Sequence, residues 1–160
     1  MKYHIWEQEA CMEMCKRQSI ISNHIVETIT AVIDVKGMVL SQVTSDFLKI
    51  VKGIAQIDQV QYPETLGRFF IINTPSVFPI VWRGIKMFLD PIVASKIEIF
   101  GCKEAEWKKR LIEYIGEDNL PQNYGGNCSI LNMNKVVKFF FFHFYMILKY
   151  YFQNYSVLLK

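Results

Sequence analysis

The feature that most constrains the fold of this chain is a run of four consecutive apolar residues, 69–72. A strand that is buried on both faces of a parallel sheet has this pattern, because neither of its faces meets water. Pro75 then breaks the extended run. Pro79 stands where the first turn of a helix tolerates proline, since that N–H has no partner to lose. The segment therefore predicts a central strand, followed by a helix over residues 80–89 that ends before Pro91.

The same strand-and-helix pattern recurs on both sides of this segment. Strands are predicted from β-branched alternation over residues 25–33 and from the apolar residues of 96–100. Amphipathic helices are predicted over residues 41–58 and 104–115, and a further helix over residues 1–18. A strand, a helix and a parallel strand form a right-handed βαβ unit. We therefore predict an α/β fold with a mostly parallel sheet and βαβ crossovers.

The composition fits one globular domain, because 51% of the 160 residues are hydrophobic. The net charge of +3 is small and the basic residues are scattered, so no nucleic-acid interface is predicted. The four cysteines lack the spacing of a zinc site and are predicted to be reduced thiols: Cys11, Cys15, Cys102 and Cys128. The sequence gives no sign of the oligomeric state.

No enzyme signature is present in the sequence. It has no G-x-S-x-G elbow, no glycine-rich phosphate loop between a strand and a helix, and no H-E-x-x-H pair. The three histidines, His4, His24 and His143, are isolated from one another, which is typical of structural residues. The sequence therefore predicts a binding protein and no catalytic residue, metal or cofactor.

Four blocks in a fixed order resemble the CRAL-TRIO lipid-binding domain, in its Sec-fourteen-like phosphatidylinositol-transfer branch. They are YPETLGRFFIINTPSVF at 62–78, W..IK.FLDP at 82–91, SKI at 95–97 and LP..YGG at 120–126. The resemblance extends upstream through VETITAVIDVKG at 26–37 and covers residues 3–126. The family sheet has more strands, and a helical module precedes it. Residues 1–126 are therefore predicted to be a partial domain of this family.

Residues 127–160 do not resemble the family and are predicted to be a divergent low-complexity tail rich in aromatic residues and lysine. The uninterrupted apolar stretch between Lys138 and Lys149 has only ten residues, whereas a membrane span needs about 20. Extending the span would place Lys149 near the middle of the bilayer, which is costly. A membrane anchor stays open as the alternative for this segment.

The resemblance implies a phospholipid ligand, with a phosphatidylinositol-like headgroup and acyl chains in an apolar cavity. Burying two acyl chains of roughly sixteen carbons each is favourable by a free energy on the order of 20 kcal/mol, at about 0.8 kcal/mol per CH₂. The implied role is binding and transfer or presentation of this lipid between membranes, without covalent chemistry. The implied location is cytoplasmic and peripheral on Golgi or endosomal membranes. The alternative is a degenerate or regulatory fragment that serves protein interaction or membrane localisation and carries no lipid.

The resemblance also implies specific site residues. Glu64 would accept hydrogen bonds from inositol hydroxyls and Lys96 would contact the phosphate. The alternative is that the two residues form a simple ion pair or are two solvated charges. Thr30, Val32 and Val93 are predicted to line the lipid cavity, and Val93 stands where the family has a threonine. A gate helix over the cavity is predicted to carry four apolar residues: Trp82, Ile85, Phe88 and Leu89.

Overall fold

A computed structural model of the chain describes residues 1–128. Three parallel strands form a sheet in the order β1-β2-β3: β1 (Ile29–Asp34), β2 (Leu66–Thr74) and β3 (Ile97–Gly101). The predicted central strand is confirmed, because β2 pairs with both neighbours. The predicted tail, with its membrane-anchor alternative, lies outside the described residues from position 129 onward.

Five helices surround this sheet in the described part of the chain. They are α1 (Lys2–Ser22), α2 (Ser45–Gln61), α3 (Phe78–Lys86), α4 (Pro91–Ser95) and α5 (Glu104–Ile115). Three short 3₁₀ helices span Leu40–Gln42, Glu117–Asn119 and Gln122–Tyr124. Helices α2 and α5 begin with acidic residues in the first turn, which suits the helix dipole. The predicted α/β fold with parallel crossovers is confirmed.

The two faces of the sheet pack against different helices. Phe70 and Ile72 of β2 form one core cluster with Val32 and with two residues of α5, Trp107 and Leu111. The other core cluster joins the sheet to α2 and α3, and it contains Val35, Phe47, Ile71, Phe78 and Val81. Successive strand residues point to opposite faces, so a strand between two helical layers must be apolar at every position. This double burial explains the uninterrupted apolar run of β2.

The predicted helix over residues 80–89 is wrong at its end, because α3 stops at Lys86. The chain tightens there into i→i+3 hydrogen bonds, from the Phe88 N–H to the Ile85 carbonyl at 3.0 Å and from the Leu89 N–H to the Lys86 carbonyl at 3.3 Å. Asp90 then caps α4, since its carboxylate accepts the Ile92 N–H at 2.7 Å. Two short helices therefore replace one longer helix.

The start of β1 also differs from the prediction, which began at residue 25. The Val26 N–H donates to Ser19 Oγ at 2.8 Å, so α1 holds this residue away from the sheet. Ile29 is the first residue of β1. Alternation alone does not distinguish a strand from an extended segment that is held by a helix.

Asn73, at the carboxyl end of the sheet, forms hydrogen bonds with a neighbouring strand and with α5. Its amide nitrogen donates to Asp34 Oδ1 at 2.9 Å, and Trp107 Nε1 donates to Asn73 Oδ1 at 3.2 Å. The backbone φ of Asn73 is 57°, in the left-handed region that asparagine tolerates better than most residues. One buried side chain thereby links β1, β2 and α5.

A charged pair fixes α5 against β3. Arg110 donates two hydrogen bonds of 2.8 Å to Glu98, and Arg68 Nε lies 3.6 Å from the same carboxylate. The hydrogen bonds from Arg110 lower the pKa of Glu98 below its ordinary value. A lowered pKa in the folded state adds stability above the unfolded pKa of about 4.3, and this stability is lost as the pH falls through the folded value.

We expect Glu98→Gln to lower the free energy of unfolding at pH 7 by about 1 kcal/mol, because both partners are partly exposed. The difference from the wild type should shrink as the pH falls through the lowered pKa of Glu98, because the wild-type carboxylate then becomes protonated. Urea unfolding at pH 7 and at an acidic pH below that lowered pKa measures both effects. The matched control is Glu106→Gln, whose carboxylate pairs with exposed Lys103. An equal loss at both pH values would contradict the assignment.

Candidate functional site

A cavity of about 460 Å³ lies between the sheet and the layer formed by α2 and α3. Its size falls within the range of about 300–1,000 Å³ that is usual for ligand pockets. The strands contribute only apolar side chains to the cavity: Ile29, Ala31, Ile33, Leu66, Phe69, Ile71 and Ile97. The helices add further apolar residues, among them Val51, Ile54 and Ala55 of α2. Such a space suits the hydrocarbon part of an amphiphile.

The predicted cavity face of β1 is wrong. Val32 is fully buried in the opposite core cluster, against α5, and neither Thr30 nor Val32 is among the residues that line the cavity. Ala31 and its neighbours at i±2 line it instead. Both faces of β1 carry β-branched side chains, so the sequence pattern could not show which face meets α2 and α3. Val93 lines the cavity.

The predicted gate residues separate into two groups. Trp82, Ile85 and Leu89 line the cavity. Phe88 does not, because its ring lies beside Lys52 of α2, with Nζ 5.4 Å from the ring centroid. Phe88 and Leu89 also lie beyond the end of α3, in the turn that leads to α4. Only Trp82 and Ile85 of the predicted set are therefore on the helix itself.

Glu64 and Lys96 meet at the amino ends of the strands. Glu64 lies in the turn before β2 and Lys96 directly before β3, and parallel neighbours bring these ends to one edge of the sheet. Lys96 Nζ lies 3.1 Å from Glu64 Oε2, and both residues line the cavity. The Lys96 side chain is 22% exposed and that of Glu64 is 77% exposed. We call the part of the cavity between these two side chains the mouth, and it is open to solvent on the Glu64 side.

Glu64 has an unusual backbone conformation. Its φ is 58°, in the left-handed region where a residue with a long side chain is strained. Thr65 supports the turn, since its hydroxyl donates to the Tyr62 carbonyl at 2.8 Å. Strain of this kind concentrates at binding and catalytic sites. The backbone conformation of Glu64 therefore indicates a functional position independently of its charge.

A second polar group lies on the cavity wall, where α1 crosses the end of α2. Asp58 Oδ1 is 2.6 Å from His4 Nε2 and 2.9 Å from Gln8 Nε2, and all three residues line the cavity. Nearby, the Tyr62 hydroxyl donates to Glu9 Oε1 at 2.7 Å, and this hydrogen bond raises the pKa of Tyr62.

Sequence reasoning missed this group because Asp58 is 54 positions from His4. The signal that was available is the i, i+4 spacing of His4 and Gln8, which places both side chains on one face of α1.

Residues 1–128 contain no group of three or more histidine, cysteine, aspartate or glutamate side chains that could hold a metal ion. No helix within the same residues has the length and apolar character that a membrane crossing requires. Cys11 and Cys15 are buried, whereas Cys102 is exposed.

Comparisons with known proteins agree on one family. The model of the CRAL/TRIO domain matches residues 1–126. The chain is 38% identical over 120 residues to a CRAL-TRIO domain-containing protein of Saccharomyces cerevisiae, an alignment that covers 75% of this chain and 36% of the relative. It is 35% identical over 129 residues to the SEC14 cytosolic factor of Yarrowia lipolytica, covering 78% of this chain and 25% of that protein.

Two further comparisons add a named transfer protein and a solved structure. The phosphatidylinositol/phosphatidylcholine transfer protein SFH4 of Arabidopsis thaliana is 34% identical over 137 residues, covering 81% of this chain and 21% of that protein. The crystal structure of Sfh5 superposes with a TM-score of 0.53 at 30% identity, over 63% of this chain and 33% of that chain. The chain therefore spans between about a fifth and just over a third of the length of these curated relatives.

Proposed function

The chain belongs to the CRAL/TRIO domain family, and from this premise we propose that its cavity binds a phospholipid and transfers or presents it between membranes, without covalent chemistry. The observation that carries the proposal is an apolar cavity with one lysine and one glutamate at its mouth. Relatives named as phosphatidylinositol/phosphatidylcholine transfer proteins supply the ligand class. The headgroup we propose is phosphatidylinositol-like.

The apolar part of the cavity supplies affinity for the acyl chains. Each methylene that leaves water for this space contributes about 0.8 kcal/mol. The strand residues that line the cavity offer no hydroxyl, since all seven of them are Ile, Leu, Ala or Phe. Selectivity among phospholipids must therefore come from the mouth and from the polar residues of the helices.

The mouth supplies the headgroup contacts. Lys96 would donate to the phosphate, and Glu64 would accept from inositol hydroxyls. The Glu64–Lys96 ion pair has to open for this, at a cost of about 0–1 kcal/mol for a pair with an exposed partner. A hydrogen bond from a lysine to a phosphate contributes about 1.5–3 kcal/mol. The exchange of the ion pair for the headgroup is therefore favourable.

The outer surface of α3 and α4 suits peripheral contact with a membrane. Ile80, Met87 and Ile92 are exposed there, and the Met87 side chain is the most open of the three at 80%. Arg83 and Lys86 lie beside them in the last turn of α3. Apolar residues flanked by cations are the usual composition of a helix that rests in the lipid interface. We propose a cytoplasmic protein that meets membranes through this surface.

The test is the lipid selectivity of Glu64→Ala. The protein is incubated with vesicles that contain equal amounts of phosphatidylinositol and phosphatidylcholine, recovered, and its lipids are extracted and quantified. We expect phosphatidylinositol loading to fall about tenfold, the equivalent of about 1.4 kcal/mol, because the acceptor for the inositol hydroxyls is lost. Phosphatidylcholine has no such hydroxyls, so its loading should be nearly unchanged. Glu106→Ala is the matched control, because Glu106 is an exposed glutamate of α5 that does not line the cavity.

Equal loss of both lipids in Glu64→Ala would contradict the headgroup assignment. A folded wild-type protein that takes up neither lipid would favour the rival role, in which the fold serves as a protein-interaction or membrane-localising surface without a lipid.

A further inference from the structure

Helix α1 is attached to the domain differently from α2 and α3. Its buried face consists of two polar and two small side chains: His4, Gln8, Cys11 and Cys15. In the described part of the chain, neither core cluster contains a residue of α1, whereas α2 contributes Phe47 and α3 contributes Phe78 and Val81. Apolar side chains of α1 are exposed instead, among them Trp6 at 61% and Ile20 at 81%. The contact between α1 and the domain therefore buries little apolar surface.

Hydrogen bonds between side chains hold the amino-terminal half of α1 against the end of α2. Asp58 Oδ1 lies 2.6 Å from His4 Nε2 and accepts from Gln8 Nε2 at 2.9 Å. The Tyr62 hydroxyl donates to Glu9 Oε1 at 2.7 Å. The Asp58 side chain is 36% exposed and Glu9 is exposed, so water can bond to both carboxylates when α1 moves away. Bonds that water replaces in this way contribute little net stability.

The carboxyl end of α1 is held more directly by the main chain. Ser19 Oγ accepts the Val26 N–H at 2.8 Å, and three residues later the chain enters β1. Asn23 ends the helix with a φ of 52°, in the left-handed region that is common at helix ends. These contacts place a pivot at the carboxyl end of α1, whereas the contacts with Asp58 lie at its amino end.

The amino-terminal half of α1 is also a wall of the cavity. Three of its residues line the cavity: His4, Glu7 and Gln8. Asp58 and Tyr62 line it on the other side of the contact, and Tyr62 stands two residues before Glu64 of the mouth. Separation of α1 from α2 would therefore open the cavity next to the mouth. Moving α3 instead would break a core cluster, and the opening that exposes the least apolar surface is the one most populated.

We propose that α1 is a movable wall of the cavity: it swings away from α2 about its carboxyl end, and lipid enters and leaves beside Asp58 and Tyr62. This inference rests on the proposed function, since it concerns the passage of the same lipid. The hydrogen bond between Tyr62 and Glu9 favours the closed position. Its loss raises the population of the open position, and lipid entry and release become faster by the same factor. The amount of lipid bound at equilibrium therefore stays nearly constant.

Glu9→Ala tests the proposal, because Glu9 contacts Tyr62 from outside the cavity lining. Two rates are measured on the full chain. The first is the labelling of buried Cys11 by N-ethylmaleimide, with the labelled site identified by mass spectrometry. The second is the release of chain-deuterated phosphatidylinositol into vesicles of unlabelled phosphatidylinositol. We expect both rates to rise about fivefold, the effect of one lost hydrogen bond, while loading at equilibrium stays within about twofold.

Glu13→Ala is the matched control. Glu13 is an exposed glutamate of the same helix, but its carboxylate accepts from Arg17 of α1 itself at 3.0 Å, so both rates should stay as in the wild type. Tyr62→Phe removes the bond to Glu9 from the other side. Tyr62→Phe and the double variant should show the same fivefold rise as Glu9→Ala, because all three lack one and the same hydrogen bond.

The outcomes separate this inference from the proposed function. Unchanged Cys11 labelling in Glu9→Ala, or faster labelling with unchanged lipid release, overturns the inference and leaves the proposed function intact. A folded wild type that takes up no phosphatidylinositol overturns the proposed function, and Cys11 labelling then still decides whether α1 moves. Circular dichroism establishes that each variant is folded before the rates are compared.

Discussion

Replacement of Ala31 by tryptophan is expected to reduce phospholipid binding about a hundredfold. Ala31 lines the cavity from the middle of β1, where it pairs with Phe69 of β2. An indole at this position occupies space that the acyl chains would fill. Exclusion of only four methylenes removes about 3 kcal/mol of burial, which is about a hundredfold in the dissociation constant. Loading from phosphatidylinositol vesicles, followed by lipid extraction, measures the effect.

The matched control is Ala105→Trp, because Ala105 is an exposed alanine of α5 that does not line the cavity. It should bind lipid as the wild type does. Ala55→Phe fills the same cavity from α2 and provides an independent second variant. Circular dichroism and thermal unfolding establish that each variant is folded. Folded Ala31→Trp and Ala55→Phe proteins that load lipid normally would show that the acyl chains lie elsewhere.

Gly126→Ala is expected to destabilise the fold by about 3 kcal/mol. A Cβ at this position would overlap the backbone carbonyl of Leu120, and a backbone atom cannot move aside as the end of a flexible side chain can. Leu120 is fully buried in the core cluster under α5. The Gly126 N–H also donates to the Pro121 carbonyl at 3.2 Å, so the two segments are held together. Urea unfolding followed by circular dichroism measures the loss.

Gly101→Ala is the control for this substitution. Gly101 ends β3, and a Cβ there would meet no atom within 4 Å. We expect its free energy of unfolding to stay within about 0.5 kcal/mol of the wild type. A Gly126→Ala protein as stable as Gly101→Ala would contradict the close approach of the two backbone segments. The glycine would then have another role in the LP..YGG block.

The sequence was sufficient to predict the elements whose local signals agree. An uninterrupted apolar run predicts a strand between two helical layers, and β2 is such a strand. The bounds of α5 are as predicted, because acidic residues begin it and Gly116 ends it with a φ of 86°. In both cases propensity, periodicity and termination point to the same element.

The errors arise where the sequence is locally ambiguous. The family resemblance implies that Thr30 and Val32 line the cavity, but Val32 packs against α5 on the opposite face of the sheet. Phe88 was placed on one continuous helix, whereas Asp90 starts a new one. The first error could be corrected only by knowing which helix covers which face of the sheet. The second error concerns the point at which α3 ends.

The candidate site depends on contacts between distant residues. Glu64 and Lys96 are 32 positions apart, and only the family resemblance brought them together before the structure did. The sequence also predicts His4 as an isolated structural histidine, whereas it lies 2.6 Å from Asp58. The packing of α1 on α2 brings these two residues together, and no local sequence pattern predicts that packing.

The central claim is that this chain encloses a lipid, and its most direct test is the lipid content of the purified protein. The wild type and Ala31→Trp are purified side by side, extracted, and the bound species identified and counted by mass spectrometry. We expect about one phospholipid per wild-type chain, enriched in phosphatidylinositol, and almost none in Ala31→Trp. A folded wild-type protein without bound phospholipid, or equal amounts in the two proteins, would contradict the account.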